Sequence, residues 1–227
     1  MKLDQAISEI LNHIFNSKRM EVEKFSNFSK KKCEDILSTV DLSIEEFSKQ
    51  SDFTDEFKGK VIFQLVKRGT DIASILDILD WKGFEFIVSS VFDKMGYTVQ
   101  QNYRFKDDFT KYEIDVLAFQ YPYLFIIDCK HYKIPNKSSM KDAVDKQKER
   151  AEVMLEMFPI MFDELIAKLN LPIKRKIHLY PVIISWKDHV IQIHQNVPIV
   201  AFSQLSGFLQ EIDEIRFSLF HLSLELG

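Results

Sequence analysis

Cysteine, glycine and proline are all scarce in this sequence of 227 residues. The two cysteines, Cys33 and Cys129, stand far apart, so they form neither a disulfide framework nor the paired spacing of a zinc site. This scarcity of cysteine favours a reducing compartment, and we expect the protein to be cytoplasmic. Six glycines and six prolines favour compact helices and strands over long flexible linkers.

Long apolar runs are also missing. The longest apolar stretches, at residues 121–127 and 179–184, are far too short for a helix that crosses a bilayer. Asp4 and Glu9 interrupt the start of the chain before an apolar run can develop, so we expect no secretory signal peptide. The sequence therefore predicts a protein without a membrane partner.

The formal net charge is -4, with 30 basic and 34 acidic residues. A negative total argues mildly against binding to nucleic acid, but only the surface that contacts the nucleic acid has to be positive. Basic residues do cluster here, at positions 30–32, at 174–176 and along a stretch from 130 to 148. This last group comprises Lys130, Lys133, Lys137, Lys141, Lys146 and Lys148. Such a stretch is usually a solvated surface, so its meaning depends on the residues beside it.

Hydrophobic periodicity divides the chain near residue 80. Residues 1–79 carry apolar side chains at helical spacing, with one of the predicted helices at 55–67, and we interpret them as a small all-α N-terminal domain. Asp80 is a candidate N-cap for the next helix, whose apolar stripe ends at Gly96. Residues 80–227 form the second predicted domain.

In this second domain, strand-like and helix-like periods alternate. The predicted elements after Gly96 are strands at 97–105, 112–119 and 123–130, a helix at 140–169, strands at 177–186 and 197–202, and a helix at 203–212. Pro159 is a candidate break in the long helix, and Ser203 is a candidate N-cap for the last one. This order predicts an α/β domain in which a mixed central sheet is flanked by helices.

The third predicted strand ends in two opposite charges. Because alternate residues of a strand share a face, Asp128 and Lys130 point to one side and the residues between and before them to the other. Buried charges must be paired or must lie in a cleft. Asp115 stands among apolar residues in the preceding strand, and it lies beside Asp128 if the two strands form a hairpin.

Two adjacent carboxylates repel each other unless a cation lies between them. Lys130 and a divalent metal are the natural candidates; carboxylate oxygens suit Mg²⁺, and we expect Mn²⁺ to substitute for it. A metal there would polarise a phosphate and lower the pKa of a bound water, which Lys130 could orient. The simpler alternatives are a salt bridge between Asp128 and Lys130, and an exposed Asp115 whose place Glu113 could take.

These residues resemble the PD-(D/E)xK restriction-endonuclease-like superfamily. The matching segments are Phe84-Glu85 on a helix, Gly-Tyr-Thr-Val at 96–99, Glu-Ile-Asp-Val at 113–116 and Asp-Cys-Lys at 128–130. The first two segments are similar to the Mrr-like and archaeal resolvase-like branches. The resemblance covers about residues 80–212 and implies a restriction-endonuclease-like fold. Ile114 stands where the nominal motif has a proline.

The resemblance also implies a role for each residue. Asp115 and Asp128 would be metal ligands, and Lys130 would be the catalytic lysine. Glu85 would be an additional ligand or an acid that holds a water. Gln147, on the following helix, matches a polar position that often lies beside such sites.

The sequence therefore predicts a Mg²⁺-dependent DNA endonuclease, with a homodimer as a candidate assembly. The N-terminal domain would serve in DNA binding, targeting or dimerisation. The lysines that follow the site would contact the phosphate backbone without reading its sequence; they are Lys133, Lys137, Lys141, Lys146 and Lys148. Two alternatives stay open: a nuclease specific for Holliday junctions or flaps, and a non-catalytic nuclease-like domain that binds nucleic acid or mediates assembly.

Overall fold

A computed structural model of the chain divides into two compact units, Met1–Phe86 and Ile87–Gly227. The described residues are 55–67, 79–131, 137–173, 175–187 and 192–226, together with Ile14, Glu34, Leu37, Ser38, Glu45 and Ile75. Most of the predicted N-terminal domain therefore lies outside the described residues. The boundary predicted between residues 79 and 80 remains a prediction.

Two helices that begin in the first unit fall within the described ranges. Helix α1 (Asp55–Lys67) confirms the helix predicted at these positions, and it buries Val61 and Leu65 one turn apart. Helix α2 (Trp81–Lys94) begins after Asp80, whose Oδ1 accepts a hydrogen bond of 2.8 Å from the Gly83 amide. This is the contact of an N-cap residue, which satisfies an amide that the first turn of a helix leaves free.

Gly96 ends α2, as the sequence predicts. The residue has φ of +89°, a left-handed conformation that glycine adopts without strain. Its amide donates to Asp93 O at 3.0 Å, and the Tyr97 amide donates to Phe92 O at 3.1 Å. These two bonds close the last turn as in a Schellman motif, and the chain then turns directly into the first strand.

A seven-stranded mixed sheet forms the centre of the described part of the second unit. Its strands are β1 (Thr98–Lys106), β2 (Lys111–Gln120), β3 (Tyr123–Lys130), β4 (Lys176–Ser185), β5 (Ile193–His194), β6 (Val197–Ala201) and β7 (Leu222–Glu225). The order is β1-β2-β3-β4-β6-β5, with β7 also paired to β4. The β3–β4 and β4–β6 pairs are parallel, and the other pairs are antiparallel.

Helices cover both faces of this sheet. The helices after β3 are α3 (Lys137–Leu169), α4 (Leu205–Gln210) and α5 (Ile212–Ile215). On one face, Leu117 and Ile126 pack with Met154 and Leu165 of α3. On the other face, Phe125 lies with its ring centroid 5.7 Å from that of Phe92 in α2 and 6.3 Å from that of Phe208 in α4. The predicted mixed sheet flanked by helices is thus confirmed.

Two details of the prediction are wrong. Helix α3 continues through Pro159, because Pro159 lies on its exposed side while Phe158 and Met161 hold the helix in the core on either side of it. Ser203 is not an N-cap residue: it lies within a 3₁₀ turn, Phe202–Gln204, whose N-cap is Ala201, and the short α4 that follows has Gln204 as its N-cap.

Strand β7 has no counterpart in the prediction. It pairs antiparallel with the start of β4, from Lys176 opposite Glu225 to Leu179 opposite Leu222.

None of the helices in the described part of the chain combines the length and the apolarity that crossing a bilayer requires.

Candidate active site

Strands β2 and β3 separate at the two predicted acids. Their antiparallel ladder runs from Gln120 opposite Tyr123 to Val116 opposite Ile127, where it stops. Asp115 and Asp128 occupy the next position on each strand. Strand β3 nevertheless continues to pair with β4 as far as Lys130. The sheet therefore opens between β2 and β3, with one acid on each side of the opening.

The Asp115 side chain takes the place of the missing ladder bond. Its Oδ2 accepts a hydrogen bond of 2.7 Å from the Cys129 amide, which a regular hairpin would pair with a backbone carbonyl. Burial, followed by the negative charge of Asp128, raises the pKa of Asp115 from 3.8 to about 6. The Cys129 amide, Lys130 and Arg150 oppose this rise without cancelling it. The expected proximity of the two acids is therefore present.

Asp128 is held between two cations. Its side chain is only 4% exposed, with Lys130 Nζ 2.7 Å from Oδ2 and Arg150 Nη1 2.7 Å from Oδ1. The side chains of the two bases are 22% and 25% exposed, so both can be reached from the solvent. The salt bridge considered from the sequence does form, and Arg150 extends it to a second base.

Gln147 positions this arrangement from helix α3. Its side chain is fully buried, and its Nε2 donates to Ile126 O at 2.7 Å, two residues before Asp128 in β3. Its Oε1 accepts a bond of 3.0 Å from Arg150 Nη1, the nitrogen that also donates to Asp128. Gln147 thus ties α3 to the strand and orients the guanidinium of Arg150.

Arg150 is the part of the site that the sequence interpretation missed. Gln147 and Arg150 are three residues apart on one helix, so they lie on the same helical face. Because the sequence already marks Gln147 as a candidate, this spacing is the signal that could have pointed to Arg150. From sequence alone, Arg150 resembles the lysines that precede it, which are typical of a solvated helix face. The structure instead places its guanidinium against the buried carboxylate of Asp128.

The remaining predicted residues belong to the first unit, to α3 or to the part of the chain outside the described residues. Glu85 is 4% exposed and belongs to α2 in the first unit, and its role as a ligand remains a prediction. Lys133 falls outside the described residues. Lys148 contacts protein, with Nζ 3.0 Å from Gln195 Oε1 and 4.4 Å from the ring centroid of Phe220. Three of the predicted lysines, Lys137, Lys141 and Lys146, are exposed on α3, and their contact with nucleic acid remains a prediction.

The donor set suits one type of metal. Among the described residues, no group of three or more His, Cys, Asp or Glu side chains could hold an ion by itself. Mg²⁺ needs no such cage, because it commonly uses one or two carboxylates and completes its shell with water and substrate phosphate. The pair formed by Asp115 and Asp128 supplies that number of carboxylates, and its binding of a metal remains a prediction.

No family model matches this chain, and no curated protein matches it. Several solved structures show similarity, among them the following three. The protein of unknown function AF1548 is 15% identical over 57% of this chain and 54% of its own, with a TM-score of 0.26. Can2 from Sulfobacillus thermosulfidooxidans, in complex with cyclic tetra-adenylate, is 14% identical over 92% and 56%, with a TM-score of 0.36. Protein VC1899 from Vibrio cholerae is 10% identical over 96% and 58%, with a TM-score of 0.35. This chain matches little more than half the length of each protein, and at these TM-scores its function has to be inferred from its own site.

Proposed function

We propose that this protein is a metal-dependent nuclease that hydrolyses phosphodiester bonds in DNA. The observation that supports the proposal is the opening of the sheet between β2 and β3, with Asp115 and Asp128 on its two sides and Lys130 beside them. A sheet that served packing alone would continue the ladder and place apolar side chains at these positions.

Asp115 and Asp128 would hold the metal, which when bound would supply Lewis-acid polarisation of a phosphate and activation of a water. Lys130 lies 2.7 Å from Asp128 and is partly open to solvent, so its ammonium can stabilise negative charge that develops on a phosphate. Gln147 keeps the helix and the strand in register at this point. The resulting charges are fixed before the substrate arrives, which is what electrostatic catalysis requires.

A cleavage screen tests this proposal. The protein is incubated with supercoiled, linear and branched DNA in Mg²⁺ or Mn²⁺, and the products are separated on gels. Lys130→Ala and Asp115→Ala should each lower the cleavage rate by about 100-fold or more, because the first removes a positive charge at the reacting phosphate and the second removes a metal ligand. Lys176→Ala is the matched control, since Lys176 is an exposed lysine at the start of β4, whereas the site lies at the other end of that strand. Failure to cut any substrate, or equal cutting by the Lys130 variant, would contradict the proposal.

Branched DNA is included because cleavage confined to junctions or flaps would make the protein a structure-specific nuclease. Such an enzyme would be expected to act as a dimer with one site for each strand. Size-exclusion chromatography with light scattering measures the assembly state, and a strict monomer would argue against this form of the proposal.

A second candidate function follows from the contacts of Asp128. Both of its carboxylate oxygens face a protein cation at 2.7 Å, as they would in a nuclease-like domain that had exchanged its metal for a salt bridge. Such a domain would bind nucleic acid or mediate assembly without cutting. Calorimetric titration with Mg²⁺ and Mn²⁺, with and without DNA, separates the two candidates. Metal binding favours the nuclease, and its complete absence in every titration favours the non-catalytic domain.

A further inference from the structure

The formal charges of the site cancel within one set of contacts. Asp115 and Asp128 contribute two negative charges when both are ionised, and Lys130 and Arg150 contribute two positive charges. Mg²⁺ brought to this set would add two further positive charges near both bases. The attraction that two carboxylates alone would exert on a divalent ion is therefore largely offset.

Arg150 has two contacts that hold it in this position. One nitrogen, Nη1, donates to Asp128 Oδ1 at 2.7 Å and to Gln147 Oε1 at 3.0 Å. Gln147 is itself anchored to the Ile126 carbonyl and fully buried. The guanidinium is therefore held against the carboxylate by a fixed acceptor as well as by charge. A cation that is to use Asp128 Oδ1 must first displace it.

We propose that Arg150 is an internal counter-ion that occupies Asp128 in the metal-free protein and limits the entry of a divalent metal. The inference rests on the proposed function, because it assumes that the acid pair is a metal site. On entry of the metal, the guanidinium leaves Oδ1, and its partly exposed position lets it turn towards an anion in the cleft. A phosphate group of the substrate is the anion that would favour this change. Metal and substrate would therefore bind with positive coupling.

Calorimetric titration with Mg²⁺ and with Mn²⁺, in the absence of DNA, tests the inference directly. Arg150→Gln removes the competing charge and should bind the metal about tenfold more tightly or better than the wild type. Arg150→Lys keeps a charge at the same position and should restore the affinity to within about threefold of the wild type. Lys168→Gln removes a base from the same helix, where it pairs with Glu164, and should leave the affinity unchanged.

The coupling is tested by repeating the titration with an uncleavable phosphorothioate DNA. The wild type should gain metal affinity when this DNA is present, and Arg150→Gln should gain much less. Equal or weaker metal binding by folded Arg150→Gln would overturn the inference, as would an identical gain in the wild type and the variant. Circular dichroism establishes that each variant is folded, and Arg150→Lys provides a second test if Arg150→Gln is not.

The outcomes for the inference and for the proposed function are separate. A wild type that cuts DNA with metal, combined with an unchanged affinity in Arg150→Gln, refutes the inference alone. If the wild type does not cut DNA but Arg150→Gln binds metal more tightly than the wild type, the proposed nuclease function is refuted and the role of Arg150 as a counter-ion is supported. Absence of metal binding in the wild type and in every variant refutes both.

Discussion

Replacing Asp115 with asparagine should make the protein more stable near neutral pH. The pKa of Asp115 is about 6 in the folded chain, against 3.8 as its ordinary value, first because of burial and then because of Asp128. The folded state therefore binds more protons than the unfolded state between these two values. By linkage, the wild-type free energy of unfolding falls as the pH rises from about 3.8 to about 6, and the loss is complete above that window.

The magnitude follows from the shift. A rise in pKa from 3.8 to about 6 corresponds to about 3 kcal/mol of unfavourable free energy for the ionised carboxylate. Because Asp115 is only half-buried, solvent screens part of the charge, and we expect a gain of about 1 to 3 kcal/mol for Asp115→Asn at pH 8. The asparagine oxygen can still accept the hydrogen bond from the Cys129 amide, so the local geometry is retained.

Urea denaturation of the wild type and of Asp115→Asn at pH 4 and pH 8, without divalent metal, measures the effect. The two proteins should have nearly equal stability at pH 4, and the variant should be more stable at pH 8. Added Mg²⁺ should narrow the difference in stability between the two proteins at pH 8, because it favours the ionised acid.

Glu113→Gln is the matched control. The Glu113 carboxylate is exposed and paired with Arg104 at 3.2 Å, so its loss should change the stability by less than about 1 kcal/mol at either pH. A variant that is less stable than the wild type at pH 8 would refute the assignment of a charge cost to Asp115.

Two further substitutions test how the fold supports the site. Gln147→Leu leaves the buried Ile126 carbonyl without its side-chain donor and should lower the free energy of unfolding by about 1–3 kcal/mol, measured by urea denaturation; an unchanged stability would contradict the role of Gln147 as an anchor. Asp80→Ala removes the N-cap of α2 and should cost about 1 kcal/mol, whereas Asp80→Asn, which can still accept from Gly83, should retain most of the stability. Equal losses in the two Asp80 variants would show that the cap bond is not the cause.

The elements that hold the acids could be predicted from local pattern. Alternation along residues 125–130 places Asp128 and Lys130 on one face, and the structure has them joined at 2.7 Å. The expected hairpin between β2 and β3 does form, and it places Asp115 opposite Asp128 at its open end. Both results follow from the alternation of side chains along a strand and from a short turn between two strands. Each of these depends only on residues that are close together in the sequence. Local pattern was sufficient because no distant element had to be placed.

The contacts made by distant elements could not be predicted in the same way. Arg150 reaches Asp128 only because α3 lies across the sheet with one particular rotation about its axis, and this rotation is set by core packing along the whole helix. Strand β7 pairs with β4 across more than forty residues of sequence, and its short run of alternating burial gives little signal. Pro159 predicts a break from local chemistry, but the core on both sides of it keeps the helix continuous.

A structural salt bridge accounts for part of the site and leaves part of it unexplained. The contacts of Asp128 with Lys130 and Arg150 are fully explained as a buried ion pair to which a second base has been added. Asp115 adds a second carboxylate at the position where the ladder stops, and its raised pKa shows that the surrounding cations do not fully compensate its charge. A site shaped only by stability would lose this acid, because an asparagine could make the same bond to the Cys129 amide. Under the proposed function, the Asp115 carboxylate costs stability in the metal-free protein, and a bound cation would compensate its charge.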